Sequence, residues 1–167
     1  EIAGLADSVY VSFYKGLGGL AGAALAADAD LIDEARVWRR RMGGTLFHSY
    51  PYAVSALRGM EANLNEIPRW TARAKALAAV LTTRGITVSP NPPHTNAFRI
   101  LANGPVDELS QRGALTTAAC GVSCVGPWAE APEPGTCFTE FVVGPATMGW
   151  DVAEVADFIE EAVSESP

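Results

Sequence analysis

At 167 residues the chain is long enough for one sizeable domain or a domain and a half, and 49% hydrophobic against 19% charged residues describes a folded, soluble chain. A formal net charge of −7 argues against partners such as nucleic acid or an anionic membrane surface, both of which need a clustered positive field. The longest weakly polar run, Gly16 to Ala27, is mostly Gly and Ala and too short to span a bilayer.

The opening residues Glu1-Ile2-Ala3-Gly4-Leu5-Ala6 have no basic segment leading an apolar core, so no secretory signal is expected. Next comes a β-rich run, Val9 to Phe13, that reads as a strand. It runs into Lys15 and then into Gly16, Gly18, Gly19 and Gly22, the composition of a tight, sterically open turn. A primary amine at the mouth of a strand can attack a carbonyl and form a Schiff base; an ordinary surface lysine beside a glycine turn is the competing reading. The Walker phosphate loop fails on order, because its lysine must follow the glycines. Gly16-x-Gly18-x-x-Ala21 fits a relaxed dinucleotide fingerprint, with Asp33 or Glu34 near the distance of a ribose-binding acid. The segment from Asp30 to Met42, however, reads as a charged helix where that fold requires a strand.

Gly19 to Ala27 is small and apolar, and periodicity does not decide between a buried strand and a short helix. Asp28 or Asp30 then caps a helix with Asp33 and Glu34 early and Arg36, Arg39, Arg40 and Arg41 late, ending at Gly43-Gly44. Leu31, Ala35, Trp38 and Met42 share one face of it and are expected in the core. Two more helices follow, about 51–63 and 67–84, with Pro68 near the start of the second and Gly85 just past its end. Beyond Gly85 the texture changes to strands at 86–88, 96–101 and 138–143, with 116–125 also read as a strand. A stiff loop carries Pro90, Pro92 and Pro93, a short helix is expected at 106–112, and 127–135 reads as a Pro-rich acidic loop. An acidic amphipathic helix over 151–164, capped by Asp151, buries Val152, Val155, Phe158, Ile159 and Val163.

Cys120, Cys124 and Cys137 lack paired spacing and read as reduced, partly buried thiols of a cytoplasmic protein. His48 can move a substrate proton, or else packs half-buried among Phe47, Tyr50 and Tyr52. His94, in the proline loop, is expected to be exposed. Two distant histidines without ligand spacing give no expectation of a metal site.

Asp7-Ser8, Ser12-Phe13-Tyr14-Lys15-Gly16-Leu17-Gly18, Ala35-Arg36-Val37-Trp38-Arg39-Arg40, Gly43-Gly44 and Thr95-Asn96-Ala97-Phe98 resemble, in order, landmarks of the threonine aldolase and β-eliminating lyase family. The resemblance covers essentially the whole chain and corresponds to the C-terminal half of such an enzyme. It implies an α/β fold: the C-terminal part of a pyridoxal-phosphate-dependent transferase-like large domain, then a small α+β C-terminal domain. On this division 1–50 ends the large domain, 51–85 forms connecting helices and 86–167 the small domain.

The same resemblance implies that Lys15 carries pyridoxal 5'-phosphate covalently and that Ser12 contacts its phosphate. Tyr14 stands where the family usually has a serine. Arg40 matches a lysine or arginine near the active site, while Phe47 and His48 replace an arginine-glutamine pair. Glu140 stands at the strand position where threonine aldolases place the arginine that forks onto the substrate α-carboxylate, so threonine cleavage is expected to be poor and Glu140 is expected to be buried. Arg99 is the substitute cation. The implied activity is aldol cleavage or β-elimination of an amino acid, in a homodimer or homotetramer and in the company of the N-terminal half. A non-catalytic truncated homologue acting as an interaction module is the alternative. The lysine strand would ordinarily lie inside a mainly parallel sheet.

Overall fold

A computed structural model describes residues 2–164, in two units that divide between Glu66 and Ile67. The first is built around an antiparallel ribbon. Strand β1 (Ser8–Ser12), rich in β-branched and aromatic residues, pairs with β2 (Ala23–Ala27) in the register Ser8↔Ala27 through Ser12↔Ala23. The undecided stretch after the lysine turn is therefore a strand from Ala23 onward, and the described partner of the lysine strand is antiparallel.

Helix α1 (Ala29–Arg41) starts after an extended Asp28, whose carbonyl accepts from the Ile32 N–H at 3.0 Å. It ends in a Schellman motif: the Gly43 N–H donates to the Arg40 carbonyl (3.2 Å) and the Gly44 N–H to the Arg39 carbonyl (2.8 Å), with Gly43 at φ +75°. The stripe expected in the core is not buried. Leu31 is 41% exposed, Trp38 51% and Met42 80%, and Ala35 is half-buried. Helical spacing fixes that these residues share a face, but burial needs an element to cover the face, and none among the described residues does so. The Arg41 guanidinium lies 5.2 Å from the Trp38 ring centroid on this surface. Helix α2 (Tyr50–Asn63) carries Pro51 in its first turn and buries only Ala56 and Gly59.

The second unit opens with α3 (Ile67–Thr83), whose buried residues Trp70, Ala74, Leu77, Ala78 and Leu81 follow helical spacing. It too ends in a Schellman motif, the Ile86 N–H donating to the Leu81 carbonyl (3.0 Å) around Gly85. The helices expected to form one connecting segment, 51–85, thus fall on either side of the division, α2 in the first unit and α3 in the second.

Strands β3 (Thr87–Ser89), β4 (Ala97–Asn103), β5 (Trp128–Glu130) and β6 (Thr136–Val142) form an antiparallel sheet in the order β3-β4-β6-β5. Alternation splits its two faces. Val88, Phe98, Ile100, Trp128, Cys137, Thr139 and Phe141 are buried, while Ser89, Arg99, Glu140 and Val142 are exposed.

Two expectations are corrected here. Residues 116–120 continue helix α4 (Val106–Cys120), and β5 lies within the stretch read as an acidic loop. Thr116 and Thr117 suggested a strand, but Leu109, Gly113 and Thr116 form one buried helical face and the Thr117 hydroxyl donates back to the Gly113 carbonyl at 2.8 Å. Helix α5 (Val152–Val163) begins with the Asp151 N–H donating to the Glu154 carboxylate at 2.9 Å and buries Val155, Ala156, Ile159 and Ala162. Of its expected stripe, Val152, Phe158 and Val163 are half-buried. Arg84, just past α3, donates to the carboxylates of Asp157 (2.6 Å) and Glu160 (2.9 Å) on α5, and the hydrogen bond it gives Asp157 leads in raising its pKa.

Candidate functional site

The lysine turn is fixed by backbone hydrogen bonds on both flanks. The Phe13 N–H donates to the Gly22 carbonyl (3.0 Å), extending the ribbon by one step, and the Gly19 N–H donates to the Phe13 carbonyl (2.7 Å). Inside that closure the Gly18 N–H donates to the Lys15 carbonyl (2.8 Å), with Gly18 at φ +74°, a conformation glycine adopts without Cβ strain.

Helix α2 supplies the floor. Leu17, 7% exposed, is the apolar plug of the turn. The Asn63 side-chain amide donates to the Leu17 carbonyl (3.0 Å), and the Leu20 N–H donates to the Ser55 hydroxyl (2.9 Å). Small residues let the two backbones approach: a Cβ added at Gly19 would lie 3.2 Å from the Ala56 Cα, and one at Gly59 would collide with the Leu17 carbonyl. Reading α2 simply as a helix missed Ser55, Ala56, Gly59 and Asn63. Their signal was present in the spacing, which puts small and hydrogen-bonding residues on one helical face.

On this support Lys15 is exposed, and among the described residues its amine has no hydrogen bond or ion pair. A Cβ at the neighbouring Gly16 would meet nothing within 4 Å, so the backbone next to Lys15 is open. An accessible amine on a rigid turn fits covalent capture of an aldehyde. Ser12, half-buried, ends β1 three residues earlier.

The other candidates in the first unit stand apart from this turn. Arg40 is exposed in the last turn of α1. His48 is exposed rather than packed in an aromatic nest, meeting Phe47 edge-on at 4.4 Å and Tyr50 at 6.4 Å between ring centroids. No hydrogen bond, ion pair or ring contact among the described residues joins either of them to Lys15.

In the second unit Arg99 and Glu140 come together. They are direct partners in the β4–β6 ladder, on the sheet face opposite the core. The Arg99 guanidinium lies 4.3 Å from the Phe138 ring centroid. Both residues line a depression of ≈310 Å³ with Ser89, Pro90, Thr95, Ala97 and Phe98. Glu140 is exposed, which corrects its expected burial: on an open sheet face the even-numbered residues of β6 point away from the core, and water screens their charge.

All three cysteines are free thiols. Cys124 is buried, and loss of solvation, followed by the nearby Cys120 and Glu161, pushes its pKa up to about 11. No helix of the described residues is long and apolar enough to cross a membrane.

The fold and the turn together define an α/β chain that presents an exposed lysine amine on a glycine-rich hairpin. The family described as Beta-eliminating lyase matches residues 1–103. A crystal structure from Exiguobacterium sp. 255-15, provisionally described as an aromatic amino acid β-eliminating lyase/threonine aldolase, is 36% identical with a TM-score of 0.83. A second, from Listeria monocytogenes EGD-E and provisionally described as an L-allo-threonine aldolase, is 32% identical with a TM-score of 0.81. No curated protein matches. The chain belongs to the β-eliminating lyase family, as its lysine-turn motifs led us to expect, and the expected α/β fold holds. The likeness covers 96% and 97% of this chain but only 46% and 45% of the two relatives, so the chain spans just under half their length.

Proposed function

We propose that the chain is the lysine-bearing portion of a pyridoxal-phosphate-dependent lyase that cleaves an amino acid by aldol cleavage or β-elimination. The observation that carries this reading is the exposed Lys15 amine, unpaired among the described residues, on a turn whose backbone is fixed from both sides. When bound, pyridoxal phosphate supplies the electron sink for breaking a bond at the substrate's Cα. The chain's residues have separate tasks. Lys15 holds the cofactor, Ser12 offers a hydroxyl to its phosphate, and the α2 floor keeps the amine in one position. Arg99, with Arg40 next in line, supplies a cation for the substrate carboxylate. His48 moves a proton, and Glu140 shapes substrate choice.

The working enzyme on this reading includes a polypeptide equivalent to the other half of the relatives, assembled as a homodimer or homotetramer in the cytoplasm. A second reading, a non-catalytic interaction module, is favoured by the exposed apolar side chains of the first unit, among them Leu5 (88%), Met42 (80%) and Phe47 (93%).

Borohydride reduction of the chain with pyridoxal phosphate, with and without the complementary polypeptide, separates the two. Cofactor mass is expected on the peptide carrying Lys15 and absent in Lys15→Ala. Mass on Lys75 instead, or none under either condition, supports the module.

A further inference from the structure

Helix α1 carries an apolar stripe that none of the described residues covers, and its charges are divided along its length. Leu31, Ala35, Trp38 and Met42 alternate between four-residue and three-residue steps, the spacing of a helical seam, and all but Ala35 are exposed. Asp28, Asp30, Asp33 and Glu34 all precede Ala35, whereas Arg36, Arg39, Arg40 and Arg41 all follow it. At ~100° per residue, Asp30, Glu34 and Arg41 flank one side of the stripe, while Asp33 and Arg36 lie on the far side of the helix. The far-side couple is paired, Arg36 donating to Asp33 at 2.7 Å. Among the described residues, Asp30, Glu34 and Arg41 form no ion pair. Glu34 and Arg41 are both drawn to Trp38 at the seam: Glu34 accepts from its indole N–H (3.4 Å), and the Arg41 guanidinium lies over its ring.

We propose that α1 is an interface on which a second copy of this chain docks, helix against helix, antiparallel about a two-fold axis. Such a contact is self-complementary. Reversing one helix sets Leu31 against the second copy's Met42 and Ala35 against the second copy's Trp38, a small residue facing a large one at the centre. Arg41 of each copy then falls between Asp30 and Glu34 of the other, about 3 Å along the axis from either, because the helix rises ~1.5 Å per residue. A parallel pair would bring the arginine ends of both helices together, so charge fixes the direction. It also favours a second copy over an unrelated partner, since acids in the first half and arginines in the second are what the reversed helix requires. The pairing asks nothing of Lys15 and goes beyond the lyase reading.

A helix of 13 residues is ~20 Å long, so the face is small and the dimer expected is weak, with a dissociation constant on the order of 10 µM. Sedimentation equilibrium of the full chain from about 1 to about 100 µM spans that constant and should show monomer and dimer exchanging. Arg41→Glu and Glu34→Arg should each weaken the dimer about tenfold or more, because each sets like charges together twice, once on either side of the axis. Mixing the two variants should restore association: one carries only acids at these two positions and the other only arginines. Far-UV circular dichroism checks that both remain folded. A chain that stays monomeric throughout, a dimer indifferent to both single changes, or a mixture that associates no better than its components overturns the proposal. A monomeric chain that instead binds the complementary polypeptide, and loses that binding in Arg41→Glu, gives the face to that polypeptide and overturns it too.

Discussion

Asn63 donates its side-chain amide to the Leu17 carbonyl, 3.0 Å away and 46 residues earlier in the chain. This bond and the missing Cβ of Gly59 let α2 grip the lysine turn from below. Gly59→Ala drives a methyl group into the Leu17 carbonyl, whose neighbours are already fixed by the ribbon. We expect destabilisation of about 1–3 kcal/mol by urea unfolding, as for overpacking elsewhere, together with less cofactor fixed on Lys15. Asn63→Ala should cost about 1 kcal/mol through the unpaired carbonyl. If Gly59→Ala leaves both stability and capture unchanged, the floor assigned to α2 is wrong.

The course of α4 is tested by two leucines six residues apart. Leu109 is fully buried, whereas Leu115 is 63% exposed. Leu109→Ala is expected to cost about 2–5 kcal/mol and Leu115→Ala no more than about 0.5 kcal/mol. Similar losses at both positions would count against the buried face assigned to α4.

Cys124 provides a pH readout. With its folded-state pKa pushed up to about 11, above the reference of 9.0, the unfolded chain loses this proton first as pH rises. The contribution to stability is therefore complete below about pH 9 and is lost as pH climbs toward 11. Iodoacetamide labelling of the native chain at pH 8 should modify Cys124 slowly, with the rate rising steeply at higher pH. Rapid labelling of native Cys124 at pH 8 would contradict its burial.

The exposed stripe of α1 predicts tolerance where the sequence suggested a core. Met42→Lys should change the unfolding free energy by less than about 0.5 kcal/mol and reduce self-association in sedimentation, because it breaks an exposed apolar surface. A large loss of stability would place Met42 in an interior after all.

Local signals were legible in the sequence where one residue decides the matter. The Gly43-Gly44 and Gly85 stops correspond to left-handed glycines closing Schellman motifs, and Lys15 was singled out by the glycines that follow it. Properties belonging to pairs of elements were not legible. The α1 stripe shows the right spacing but no cover, and Glu140 shows strand alternation without saying which face is inside. That Arg99 and Glu140 face each other depends on a register set by the intervening α4 and β5, which neither residue's neighbours encode. The α2 floor was missed because Gly59 in mid-helix reads as a weakness until its opposing backbone is known.

The ribbon's dependence on α2 also sets an order of events during synthesis. A two-stranded hairpin alone is marginal in water, and the residues that clamp it, Ser55 through Asn63, lie some forty positions downstream of the turn. Lys15 therefore acquires its fixed position only after α2 has emerged from the ribosome and coiled. Kinetic analysis should find substitutions in the 13–22 loop acting on unfolding and those within α2 acting on folding. An intermediate arrested before α2 would carry the Lys15 amine on a loose tether, open to any aldehyde and held for none.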